Sequence, residues 1–84
     1  MLKIHRTSGR TVVFTISGHL DVDNVNELCQ LVDDEPAGSA LVLDLTDLVL
    51  ADRDAVRCLR EYETRGRVAL RNCPAYVRAW MVGD

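Results

Sequence analysis

The stretch ALVLDL, residues 40–45, places five apolar residues around a single acid. It is too short for a stable helix, and Pro36 and Gly38 shortly before it are turn residues. Apolar side chains on both parities predict a central strand covered on both faces, the pattern of a parallel sheet. Parallel strands need helical crossovers, so the segments on either side of it should contain helices.

Working back from residue 40, helical signals come first. In residues 21–34, Val22, Val25, Leu28, Cys29 and Val32 recur at helical spacing, with Asp21 or Asp23 as the cap. Asp33, Asp34 and Glu35 crowd its C-terminal end, where the helix dipole disfavours negative charge. Earlier still, TVVFTIS, residues 11–17, alternates Val12, Phe14 and Ile16 with Val13, Thr15 and Ser17. That is a strand, and Gly18 should stop it. Residues 2–6 supply an edge strand, and the Ser8-Gly9 turn joins the two into a hairpin.

Working forward, LVLADRDAVRCLREY, residues 48–62, passes from an apolar run into a helical pattern. Asp52 is placed as N-cap, the helix should run to about residue 65, and Gly66 suits the C′ position. Residues 68–70 read as a short strand. Pro74 fits the first turn of a last helix over 74–82, with Val77, Trp80 and Met81 on its packed side. The order β-β-α-β-α-β-α predicts an α/β fold, a mixed sheet of about four strands with helices packed against it.

Composition agrees with one domain spanning residues 1–84. The chain is 48% hydrophobic and 27% charged, which suits a folded domain and not a disordered one. A net charge of −3 disfavours nucleic acid as a partner. The charge is uneven: residues 1–18 carry three basic residues and no acid, residues 19–54 carry ten acids and one arginine, and residues 55–84 carry six arginines and three acids. Internal ion pairing between these blocks is the simple expectation. Residues 1–10 lack the apolar core of a secretory signal, and no run approaches a membrane span, so no membrane insertion is expected. Cys29, Cys58 and Cys73 form no CxxC pair, and their odd number does not suit a closed disulfide framework. A reduced, cytoplasmic protein is expected, with Cys29 and Cys58 in the core and Cys73 more exposed.

Four short pieces, in order, resemble the STAS family of sulfate transporters and anti-sigma-factor antagonists. Gly18-His19-Leu20-Asp21 is similar to its G-x-L-D, and Leu43-Asp44-Leu45-Thr46 followed by Leu48 to its strand and exit. Leu48 to Asp52 leads to the place of the family's D-S-S-G-L, and Gly66 to Pro74, with Leu70 and Asn72, is similar to its G-x-x-L-x-N-x-P segment. The resemblance covers roughly residues 11–82 and implies a short member lacking the final strand and helix of longer ones. It departs where D-S-S-G reads Asp52-Arg53-Asp54-Ala55. In the antagonists the serine after the aspartate is phosphorylated by a partner kinase. Arg53 stands in that place with Asp54 after it, so the resemblance implies a degenerate phosphosite. A phosphate would bring about −1.5 to −2 charges, whereas Arg53 brings a positive one.

The acids Asp44, Asp47, Asp52 and Asp54 could suggest an oxygen-ligand metal site. Asp44 in a strand, Arg53 between the later two acids, and no ligand-spaced partner for His5 or His19 argue against it. The chain's size and the lack of a nucleophile–base pair argue against an enzyme. On the helical wheel, Ala55, Cys58, Leu59 and Tyr62, flanked by Val56, form the core side. Arg53, Arg57 and Arg60 lie within about 60° on the other. Asp54 and Glu61 run beside them, and an Arg57–Glu61 pair is expected.

These readings converge on a non-catalytic protein-interaction module needing no cofactor, similar to an anti-sigma-factor antagonist in bacterial transcription regulation. Its partner-binding residues would be Asp21, Asp52, Arg53, Asp54, Arg57 and Arg60. The resemblance implies a kinase-fold anti-sigma factor as partner. The alternative is a small STAS subunit bracing the ATPase of a lipid-transport ABC system. A homodimer through the hairpin edge is also physically reasonable, because an unpaired strand edge templates further pairing.

Overall fold

The strand over Val12–Leu20, β2, is the axis of the sheet. On one edge it pairs antiparallel with β1, Leu2–Thr7, in a register that sets Ile4 opposite Ile16 and Leu2 opposite Gly18. On the other edge it pairs parallel with β3, Leu41–Asp44, from Val12↔Leu41 to Thr15↔Asp44. The chain then turns and resumes pairing beside the same β2 edge as β4, Leu48–Ala51, from Gly18↔Leu48 to Leu20↔Ala51. The short β5, Ala69–Arg71, adds to β3 in parallel. The helices are α1, Val25–Asp33, α2, Arg53–Thr64, and α3, Ala75–Gly83. This is a computed structural model, and it describes residues 2–83.

The mixed α/β order matches the sequence expectation, with two differences in the sheet. The described residues form five strands, because the apolar lead-in to α2 is itself a strand, β4. Gly18 does not stop β2. It adopts φ +90°, and the pairing with β4 shifts register between Gly18 and His19. A glycine at positive φ accommodates such a bulge without a Cβ clash. The strand therefore continues to Leu20, which is fully buried.

Burial alternates along the central strands. Phe14, Ile16, Leu41 and Leu43 are buried, while Val13, Thr15, Val42 and Asp44 are half-buried. One face carries the core, so the double coverage expected of residues 40–45 is not complete. Val25, Leu28 and Val32 of α1, Ala55, Val56, Leu59 and Tyr62 of α2, and Val77 and Met81 of α3 join those strand residues in one cluster. Each fully buried Phe, Leu or Ile contributes about 1.5–3 kcal/mol relative to exposure. Two side chains expected to pack lie elsewhere: Val22 precedes α1 and is exposed, and Trp80 is 37% exposed. Cys58 packs against the core as expected, half-buried at its rim. Cys29 is likewise half-buried, and so is Cys73, which was expected to be more exposed.

Helix ends follow local chemistry. Gly66, at φ +72°, donates its N–H to the Glu63 carbonyl, and Arg67 donates to that of Tyr62. That is a Schellman closure of α2, with Gly66 at C′ as expected. The acid run ending α1 is compensated from afar. Arg67 Nη2 donates to the carbonyls of Val32 and Glu35, each at 2.8 Å. Arg6 pairs with Glu35 at 2.9 Å, and the Tyr62 hydroxyl donates to Asp33 at 3.1 Å. A cation on the last carbonyls complements the helix dipole. Arg6–Glu35 also links the basic N-terminal block to the acidic middle of the chain.

Candidate interaction surface

Asp52 is the hinge of the site. Its backbone is extended, and its Oδ1 accepts the Ala55 N–H at 2.9 Å, the N-cap bond expected of it. Its Oδ2 accepts the Val22 N–H at 3.0 Å. One carboxylate therefore fastens the start of α2 to the loop after β2, and the Asp52 N–H is itself held by the Leu20 carbonyl at 3.1 Å.

Asp21 performs a similar task for α1. Its Oδ1 accepts from the N–H groups of Asp23 and Asn24, at 3.0 and 3.2 Å. Asn24 reciprocates, with Oδ1 accepting the Asp21 N–H at 2.8 Å and Nδ2 donating to the His19 carbonyl at 2.9 Å. This reciprocal arrangement has the logic of a capping box. Neither Asp21 nor Asp23 is the residue next to α1: that place is Asn24, without a side-chain cap bond, and Asp21 instead holds the three-residue turn that leads into the helix. Asp52 and Asp21 thus act on backbone amides and shape the surface from beneath.

Arg53 leaves the helix start toward α3. Its guanidinium carbon lies 5.9 Å from the centre of the Trp80 ring. Trp80 meets Tyr76 edge to face, with centroids 5.8 Å apart and planes at 85°. The Tyr76 hydroxyl oxygen accepts the Ala51 N–H at 3.0 Å. A cation over an exposed indole contributes about 0.5–1 kcal/mol, and here it orients the arginine beside a partly exposed aromatic. Val22, held by Asp52, and Leu50, opposite His19 in the sheet register, are 54% and 53% exposed at the same end. Sequence reasoning missed Val22, Leu50 and Trp80 as surface residues. For Leu50 a signal was present: Val49 and Leu50 are consecutive apolar residues directly ahead of a cap.

Further along α2, Arg57 lies 3.7 Å from Asp54, and Glu61 lies 3.8 Å from Arg65. The expected Arg57–Glu61 pair gives way to these two. Both are solvent-exposed and of small energetic weight. Arg57, Arg60, Glu61, Thr64 and Arg65 line an open hollow of about 670 Å³. Arg53, Arg57 and Arg60 are all exposed, as the wheel predicted.

The remaining acids do other work. Asp44 Oδ1 accepts from the Thr46 N–H at 3.0 Å and from its hydroxyl at 2.6 Å, and Asn72 donates to the Thr46 oxygen at 2.7 Å. Asn72 sits at φ +56°, ending β5 beside this turn. The two Thr46 bonds, side chain first, hold the Asp44 carboxyl below its usual range. Asp47 contributes its carbonyl to the Gly18 N–H at 3.3 Å. Among the described residues, no three or more His, Cys, Asp or Glu side chains gather as a metal-holding group.

The fold has a solved counterpart. An uncharacterised protein of the DUF3478 family from Shewanella loihica, with a SpoIIAA-like fold, is similar at TM-score 0.58 and 18% sequence identity. The match covers 82% of this chain and 65% of that one, so this chain spans under two thirds of its neighbour's length. No family model matches the sequence, and no curated protein matches it. Among the described residues no helix is long and apolar enough to cross a membrane. The chain has the SpoIIAA-like mixed sheet, which is the fold of STAS domains.

Proposed function

We propose that the chain is a non-catalytic STAS-like protein-interaction module, similar to an anti-sigma-factor antagonist, that docks through the start of α2 and the loop after β2. The observation that carries this is the two-way bond of Asp52, which makes those segments one surface. That surface combines exposed Val22 and Leu50 with an arginine laid on Trp80. Aromatic and arginine side chains are the types enriched where proteins meet. Arg53, Arg57 and Arg60 give it positive charge suited to acidic groups on the partner, and the family resemblance names a kinase-fold anti-sigma factor. With arginine in the phosphoserine place, docking is not gated by phosphate there.

The test is affinity capture from the native cell, followed by titration of the recovered partner with the wild-type chain and an Arg53→Glu/Arg57→Glu variant. The variant should bind at least about tenfold more weakly, a loss of about 1.4 kcal/mol, while its stability falls by no more than the lost indole contact, about 0.5–1 kcal/mol. Unchanged affinity removes this surface from the interface. Recovery of an ABC-type ATPase with membrane proteins replaces the anti-sigma reading with the transport one.

A further inference from the structure

Two cysteines that look like separate core residues in the sequence meet in the fold. Cys29 of α1 and Cys58 of α2, 29 positions apart, bring their Sγ atoms to 3.1 Å. Both residues are half-buried rather than enclosed. They line a recess of about 210 Å³ together with Asp33, Glu61, Tyr62 and Arg65. Glu61 and Arg65 also line the larger open hollow along α2, so the recess adjoins solvent-accessible surface. Cys73 belongs to neither hollow.

We propose that Cys29 and Cys58 are a dithiol modification site that closes to a reversible intramolecular disulfide on reaction with a low-molecular-weight disulfide such as glutathione disulfide. A disulfide bond is about 2.04 Å long, so the sulfurs must approach by about 1 Å, a movement within reach of side-chain torsions at the rim of two helices. In the first step Cys29, as thiolate, attacks one sulfur of glutathione disulfide. A mixed disulfide forms and one glutathione thiolate leaves. In the second step the Cys58 thiol loses its proton to water and attacks the Cys29 sulfur, releasing the second glutathione. One protein dithiol and one glutathione disulfide become one protein disulfide and two glutathione thiols, with both protein protons ending on glutathione. Burial and the hydrogen bond to Cys29 push the Cys58 thiol up to about 12, so it is a poor nucleophile toward a reagent in solution. It suits the second step, where the target sulfur is already in contact and high effective concentration offsets the small thiolate fraction.

The disulfide would tether α1 to α2, fixing a seam that the reduced protein holds by packing and by the Tyr62–Asp33 bond. It would leave Asp52, Arg53 and Arg57 chemically untouched.

The experiment incubates the reduced full chain with glutathione disulfide, blocks remaining thiols with an alkylating reagent, and weighs the intact protein. The expected product has lost two hydrogens, carries one alkyl group, and yields a peptide joining residues 29 and 58. A Cys73→Ser variant should give the same linked peptide with no alkyl group. A Cys29→Ser variant should lose the closed species entirely. Adding reduced glutathione in excess should restore three alkylated thiols in the wild-type chain. Persistent glutathione adducts, a link through Cys73, or three alkylated thiols after prolonged incubation overturn the proposal. If Cys29→Ser fails to fold, the linked peptide in the Cys73→Ser variant still decides the matter.

Discussion

The two ends of α2 are built differently. Its N-terminus depends on one carboxylate, that of Asp52, which caps the helix and also holds the neighbouring loop. Its C-terminus is fastened from several directions: by the Schellman closure at Gly66, by Tyr62 on Asp33, and by Arg78 on Glu63 through two bonds of 2.6 and 2.8 Å. The first end displays apolar and cationic side chains, and the second uses its polar groups internally. The difference teaches which substitutions should damage folding and which should damage recognition. Changes near the C-terminal end should lower stability and spare binding, and surface changes at the N-terminal end should do the reverse.

The largest stability effect is expected from Arg67, just beyond the C-terminal end. Arg67→Met retains the apolar stem but removes both bonds that Nη2 donates, to the Val32 carbonyl in the last turn of α1 and to the Glu35 carbonyl just beyond it. Charge-assisted bonds contribute more than neutral ones, and the site is partly buried. The loss should be about 2 kcal/mol, read as a lower urea midpoint at unchanged slope. Partner affinity measured on the folded variant should stay within about twofold, under about 0.5 kcal/mol. A loss of affinity without a loss of stability would reverse the assignment of the two ends.

Asp52 comes next because its single side chain serves both purposes. Asp52→Ala should cost about 1–2 kcal/mol, the range for a lost N-cap. Asparagine is an equally good cap, but its amide nitrogen cannot accept a second bond. Asp52→Asn should therefore recover most of the stability while leaving the Val22 N–H without its acceptor. The sharper comparison is between these variants in one titration. Asn should bind more weakly than wild type despite near-normal stability, because the loop is no longer held to the helix. Full affinity in Asp52→Asn would show that the Val22 bond plays no part in the surface.

The parts of this arrangement legible in the sequence are those decided within one helical turn. Asp52 as cap, Gly66 as C′ residue and the arginine side of α2 all depend on spacing alone. Less legible were features decided by a remote neighbour. β4 looks like a helix lead-in because four apolar residues become a strand only when β2 lies beside them. Gly18 looks like a terminator because a bulge needs a partner strand with a shifted register. The acid run at the end of α1 looked unfavourable until Tyr62 reached Asp33, Arg6 reached Glu35, and Arg67 reached the carbonyls of Val32 and Glu35. Trp80 sits at a packed-side position of α3, yet its surroundings are Tyr76 and an arginine from a different helix. The choice of Asp54 over Glu61 by Arg57 is a contest between exposed pairs of similar small energy, which spacing does not settle.

The smallest effect, and the finest probe of the comparison, is the Glu63–Arg78 clamp between α2 and α3. Its side chains are 31% and 45% exposed, so solvent screens much of the attraction. Glu63→Gln should cost only about 0.2–1 kcal/mol at neutral pH. The Arg78 hydrogen bonds hold the Glu63 carboxyl below its usual value of 4.5. A carboxyl whose pKa is depressed by folding contributes stability above its unfolded pKa and loses that contribution as pH falls through the folded value. The stability difference between wild type and Glu63→Gln should therefore be constant from pH 7 down to about pH 5, then shrink below pH 4.5 and vanish once Glu63 is protonated in the fold. Asp44 behaves with the same sign, but it is present in both proteins and cancels in the difference. A gap that persists at low pH would mean that glutamine lost packing and not a charge-assisted bond, and the C-terminal end of α2 would then be held by shape more than by ions.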